Sequence, residues 1–182
     1  MKIPRIATAI VAVLVVAGAA LFVANGNTNR STHNSTDVMF AQMMIPRHQQ
    51  AIDMADMALN PSHHASEELR NLASEMKTTQ TMEVATLTQL LQKWGEPISM
   101  HHHQDMQDGM LSSDELSVLS KKQGSTFDQS WARAMIAHHR GAISMVRAFD
   151  TGASLDIQKL NRDIVTAQGQ EITLLKRIAS SR

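Results

Sequence analysis

The sequence contains no cysteine and no tyrosine, and only four phenylalanines and two tryptophans. Without cysteine there can be no disulfide, no thiolate metal site, no thiol nucleophile and no lipoprotein anchor. With so few aromatics the core must be aliphatic and methionine-rich, which suits packed helices better than a β-sandwich. Net charge is missing too: 17 Lys and Arg stand against 17 Asp and Glu, and 15 against 17 once residues 1–26 are set aside. A basic nucleic-acid surface is therefore not expected. Nor is there a glycine-rich phosphate loop, a nucleophile elbow or a Ser–His–Asp arrangement. What the chain does have in quantity is 13 methionines and 9 histidines among 182 residues.

The N-terminus opens on Lys2 and Arg5, followed by an uncharged apolar run from Ile6 to Ala24. Such a run reads as an export signal, with small residues for cleavage after Gly26, or as a retained membrane anchor, since it approaches the length of a bilayer span. Either way the remainder is expected outside the cytoplasm: secreted, periplasmic or held on the outer face of the membrane. Residues 1–26 are thus signal or anchor. Residues 27–36, rich in Asn, Ser and Thr, are a flexible linker. Residues 37–182 are the folded part.

That part is written twice. Met44, Ile45, His48, Ala51, Ile52 and Met54 recur as Met135, Ile136, His139, Ala142, Ile143 and Met145, at one constant offset, as does Asp37 at Asp128. Each copy is followed by Gln-x-x-Glu, as Gln80 and Glu83 and then as Gln168 and Glu171. A duplicated helical hairpin is implied. The first spans 37–95, a His- and Met-rich loop with a short helix spans 96–125, and the second spans 126–182.

Apolar residues at three- and four-residue steps predict four long helices. Asp37 is expected to cap the first, which runs to about Leu59, with a kink or a late start at Pro46. Asn60-Pro61-Ser62 marks the turn, and Ser66 caps the second helix, which Gly95 stops. Ser113 is expected to cap a short helix from Asp114 to about Gln123, and Asp128 to cap the third long helix. The fourth runs from about Leu155 to Ala179. Two hairpins with complementary stripes make an all-α antiparallel four-helix bundle.

Three groups of residues carry chemistry. The first is the repeated polar set. His48 and His139 interrupt apolar stripes, and Gln80, Glu83, Gln168 and Glu171 interrupt the facing ones. Buried carboxylates need partners, and the imidazoles and Arg47 or Arg140 are the ones available. The set is either a structural layer that fixes register or a metal site between hairpins. The second group is the pairs Met44–His48 and Met135–His139, each one turn apart on a helix face; thioether with imidazole is a soft donor set suited to Cu(I), although methionine also simply fills cores. The third is the loop, with His101, His102 and His103 flanked by Met100, Met106 and Met110, a composition that binds metal. His63–His64 would be a further exposed site, and His33 carries no signal.

These residues resemble a known family. Met44-Ile45-Pro46-x-His48-x-x-Ala51-Ile52-x-Met54 and Phe127-Asp128-x-x-Trp131-x-x-x-Met135-Ile136-x-His138-His139-x-Gly141-Ala142-Ile143-x-Met145, each followed by Gln-x-x-Glu, are similar to the bacterial family known as domain of unknown function 305. The resemblance runs from about Asp37 to Ile178. It implies a secreted or membrane-anchored, ferritin-like helical bundle, and copper handling, because some relatives are periplasmic copper-binding proteins. One position departs. The family pattern has paired histidines in both halves, whereas Arg47 stands where the first of the first pair would be.

The expectation is a non-catalytic exported protein that buffers or carries metal, most naturally copper, with iron, manganese or zinc as alternatives. Met44, His48, Met135, His138 and His139 are its candidate ligands in the bundle, and His101–His103, Met100, Met106 and Met110 those in the loop. A ferritin-like di-metal oxidase, or a structural or partner-binding bundle, are the competing readings. Expected partners are the metal ion, the membrane if the N-terminal run is retained, and no nucleic acid; such a bundle is also compatible with a homo-oligomer.

Overall fold

The computed structural model describes residues 32–99 and 108–181, all within the unit Ser31–Arg182. Among the described residues there are five α-helices and no strand: α1 (Ser35–Leu59), α2 (Glu67–Trp94), α3 (Ser113–Ser120), α4 (Gly124–Ala148) and α5 (Leu155–Ser180), with a single 3₁₀ turn at Pro61–His63. The helix α1 packs along α2 and α4 along α5, and the two hairpins meet mainly through α1 and α4. This is the four-helix bundle the duplicated stripes require. No described helix is long and apolar enough to cross a membrane; the run from Ile6 to Ala24 lies outside the described residues.

The long helices start and stop for local reasons, and several of those differ from expectation. Asn34, not Asp37, caps α1, in a capping box whose second member is Asp37. That box holds only part of Asp37, whose Oδ2 also accepts from the backbone N–H groups of Ala153 and Ser154 at 2.9 and 3.1 Å, in the turn between α4 and α5. Its counterpart Asp128 does not cap α4 either. It lies a turn inside the helix and accepts the Ser66 N–H at 3.1 Å, at the start of α2. Each repeated aspartate therefore ties its own hairpin to the turn of the other. Sequence spacing alone suggests a cap because a cap and a long-range acceptor occupy the same end of a helix.

Pro46 does not delay α1, which runs unbroken from Ser35. The proline is exposed and cannot donate to the Gln42 carbonyl, yet the helix continues on both sides of it. The short helix is capped by Ser112 with Glu115, one residue earlier than Ser113, and ends at Ser120. Ser66, Gly95 (φ +74°) and Ser154 cap as their residue types dictate.

The core is divided in two. One apolar cluster is built around Met54, Leu69, Met76, Trp131, Met135 and Leu175, and the other around Phe40, Met44, Leu87, Leu91, Met145 and Ile164. Trp131 is anchored in the first by its indole N–H, which donates to the Met54 carbonyl at 2.7 Å. Between the clusters every long helix changes to polar residues, giving the bundle a polar waist.

Candidate metal centre

The waist collects the repeated polar residues because each sits midway along its helix, between apolar turns that enter opposite clusters. From α1 come Arg47 and His48, from α2 Gln80 and Glu83, from α4 His138 and His139, and from α5 Gln168 and Glu171. His48, His138 and His139 are each 0 % exposed.

The two carboxylates find imidazoles, and neither finds an arginine. His48 Nε2 lies 2.8 Å from Glu83 Oε2, and His139 Nε2 lies 2.7 Å from Glu171 Oε2, so the pseudo-twofold relation of the hairpins extends to their ionisable groups. Both contacts are close but off the line of a ring N–H. As a result, no nitrogen of His48, His138 or His139 makes a well-formed hydrogen bond among the described residues, and the same is true of the side-chain amides of Gln80 and Gln168. A native interior rarely leaves so many polar atoms in one layer without partners.

His138 differs from the other two in having no carboxylate. Burial holds its pKa well below the ordinary 6.5, and the Arg47 guanidinium and the neighbouring His139 and His48 push it the same way, against a smaller opposing contact with the Arg47 backbone. It is therefore a neutral imidazole at physiological pH, the form that ligates metals.

Arg47, expected as an available partner for the buried carboxylates, instead donates to backbone carbonyls. It is 1 % exposed, and its Nη1 donates to the His138 carbonyl at 2.9 Å and its Nη2 to the Asp108 carbonyl at 2.6 Å. Burial lowers its pKa to about 10, with Asp108 opposing, so it remains a cation. His138 is the residue at Arg47's own place in the second repeat, so the arginine crosses to its counterpart. The end of the interhelical loop rests on α4 at the same level. A Cβ on Gly109 (φ +80°) would overlap the Ala137 carbonyl, and one on Gly141 the Asp108 carbonyl. Both glycines are needed for that approach. Arg140 is exposed.

The other candidates are dispersed. Met44 and Met135 are both fully buried, but in opposite clusters, so the two Met–His pairs flank the waist from its two sides. Met110 lines an apolar cavity of ≈ 580 Å³ with Leu111, Val118 and Leu119. Met100, His101, His102, His103 and Met106 lie outside the described residues. His63 is not an exposed site: it is buried, stacked on Phe127 at 4.5 Å, with Nδ1 3.0 Å from the Lys122 carbonyl. Among the described residues, no three His, Asp or Glu side chains converge as a ready cage for a metal ion.

The chain is similar to several solved proteins. A DUF305 fragment from Deinococcus radiodurans is 28% identical, with a TM-score of 0.71 over 80% of this chain and 96% of that one. A DUF305 protein from Streptomyces coelicolor, described as a candidate secreted protein, is 26% identical, with a TM-score of 0.71 over 78% and 88%. CopM in its Cu(II)-bound form is 32% identical, with a TM-score of 0.67 over 79% and 95%, and CopM has also been solved with Cu(I) and with silver. No curated protein matches. The family model described as Domain of unknown function (DUF305) matches residues 37–179, and to that family the chain belongs.

Proposed function

We propose that this protein is an extracytoplasmic copper-binding protein that buffers or carries the ion and does not transform it. The observation that carries the reading is the waist, where three fully buried imidazoles offer nitrogens that lack well-formed hydrogen bonds. Buried imidazole nitrogen suits copper, and the thioethers of Met44 and Met135, one turn from His48 and His139, favour Cu(I). A hard divalent ion wants many oxygen donors, whereas Cu(I), with a filled d shell, is satisfied by few.

His48, His138 and His139 are the bundle donors in this reading, with Met44 and Met135 behind them. Glu83 and Glu171 hold two of the rings from the far side. Met100, His101, His102, His103, Met106 and Met110, between the two hairpins in sequence, supply a second donor set in this reading. Export follows from the apolar N-terminal run, and the likeness to CopM and to the Streptomyces coelicolor protein supports both metal and location.

Titration of the full chain with Cu(I) against a competing chelator tests the reading. Uptake should fall when residues 100–110 are scrambled and fall further when His138→Leu is added. Uptake equal to that of the doubly altered chain rejects copper binding. The reading of the waist as a register-fixing layer alone is favoured by the two close His–Glu contacts. It requires that His138→Leu change stability and leave copper uptake unmoved.

A further inference from the structure

We infer that His33, Met39 and Glu96 form a separate site for a soft monovalent cation, Cu(I) or Ag(I), at the end of the bundle where Asn34 caps α1. This site shares no residue with the waist or with the loop donors at 100–110 and stands whether or not the waist binds metal.

In sequence His33 is an isolated histidine in a polar linker. In the fold its ring lies flat on the Trp94 indole, with centroids 4.4 Å apart and planes within 10°. Trp94 ends α2, and Gly95 then turns the chain so that Glu96 comes back beside α1, its N–H bonded to the Leu91 carbonyl at 2.9 Å. Gln42 fastens this return by donating Nε2 to the Pro97 carbonyl at 2.7 Å. The outcome is an open cavity of ≈ 440 Å³ whose wall includes His33, Met39, Gln42 and Glu96. Residues of three unlike donor types thus line one cavity, with His33 held by the Trp94 ring and Glu96 by its backbone bond to Leu91.

The donor types select the ion. Met39 is 44 % exposed, so this thioether is not core filling, unlike Met44 or Met135. Imidazole with thioether is a soft pair, and soft pairs favour Cu(I) and its congener Ag(I) over Zn(II) or Mg(II). Charge points the same way. Asn34 and Ser35, at the positive end of the α1 dipole, also line the cavity, and the resulting repulsion grows with ionic charge. One carboxylate, Glu96, balances a single positive charge.

Trp94 makes the site observable. The other indole, Trp131, is 0 % exposed in the apolar cluster beyond the waist. Ag(I) titrated into the full chain should change Trp94 emission, and Trp94→Phe should abolish that change. His33→Ala and Met39→Leu should each shift the midpoint by about tenfold or more, and should remove one silver ion from the stoichiometry measured by equilibrium dialysis. His138→Leu should leave the emission change intact, which keeps this site distinguishable from the waist. An unchanged midpoint and stoichiometry in both His33→Ala and Met39→Leu overturns the inference. So does tighter binding of Zn(II) than of Ag(I).

Discussion

Two Gly→Ala substitutions in long helices should move stability in opposite directions, and the difference measures how firmly Arg47 holds the end of the loop to the waist. At Gly141 a methyl group would overlap the Asp108 carbonyl oxygen and lie 2.8 Å from Arg47 Nη1. The Asp108 oxygen belongs to backbone, so the overlap is relieved only if the segment at Asp108–Gly109 lifts, and lifting breaks the 2.6 Å bond from Arg47 Nη2. A hydrogen bond from a charged donor contributes about 1.5–3 kcal/mol. Alanine in place of glycine in a helix returns about 1 kcal/mol. Gly141→Ala should therefore destabilise by about 0.5–2 kcal/mol. Gly169, in α5, has no atom within 4 Å of the position a Cβ would take, so Gly169→Ala should stabilise by about 0.5–1 kcal/mol. At about 2–4 °C per kcal/mol for a chain of this size, the variants should melt several degrees apart on either side of the parent. Thermal and urea denaturation followed by helical circular dichroism reads both. In Arg47→Met the staple is already gone, so adding Gly141→Ala should cost less than it does alone. If Gly141→Ala raises the midpoint as Gly169→Ala does, the loop end is not held against α4, and the role given to Arg47 is wrong.

Glu83→Ala and Glu171→Ala each leave a buried imidazole without its carboxylate and should destabilise by about 1–3 kcal/mol in urea titrations; adding His48→Leu to Glu83→Ala should recover part of the loss, and no recovery would mean that the pair is not energetically coupled. Trp131→Phe keeps ring packing but removes the N–H donated to the Met54 carbonyl, so the melting point should fall by an amount equivalent to about 1 kcal/mol or more. The metal-free protein should lose stability below pH 6.5. There the unfolded chain protonates His138 at its ordinary value while the folded chain does not, so the unfolded state binds more protons and stability falls as pH falls. The slope from this one group reaches about 1.4 kcal/mol per pH unit, and His138→Leu should flatten it; an identical pH profile in the variant would refute the assignment.

The bundle could be read from the chain because its evidence is periodic. Phe40, Met44, His48, Ala51, Ala55 and Ala58 share a stripe at helical spacing, and all are buried. Of the matching positions 91 residues later, Trp131, Met135, His139, Ala142 and Val146 are buried and Phe149 is partly buried, as two like hairpins require. That Glu83 and Glu171 would need partners was also readable, because the desolvation of a carboxylate demands one. Which partner took it was not. Arg47 and His48 are adjacent in sequence, and only the rotation of α1 against α4 decides that the imidazole faces Glu83 while the guanidinium reaches across to the His138 carbonyl. The same limit applies to Asp37 and Asp128, whose partners lie in turns 116 and 62 residues away. His33 is the plainest case. Nothing near it in sequence distinguishes it, and its stacking on Trp94 exists only once α1 and α2 are side by side.

The break in the repeat at Arg47 is where symmetry and function separate. Had a histidine stood there, the waist would carry two neutral imidazoles without carboxylates, one from each hairpin, and the loop end would have no cation to hold it. With arginine, one half gives up a donor nitrogen and gains a two-pronged hold on the carbonyls of His138 and Asp108. The second-half donor His138 is then linked through one guanidinium to the end of the segment that carries His101–His103. Burial first and the Arg47 cation second hold His138 unprotonated, so its ring offers a lone pair at neutral pH. Exchanging Arg47 for His should restore the family's pairing and add a donor, yet loosen the loop end. Copper uptake by the waist and stability of the fold should therefore move in opposite directions in Arg47→His. A variant that gains or loses both together would show that the arginine serves packing alone.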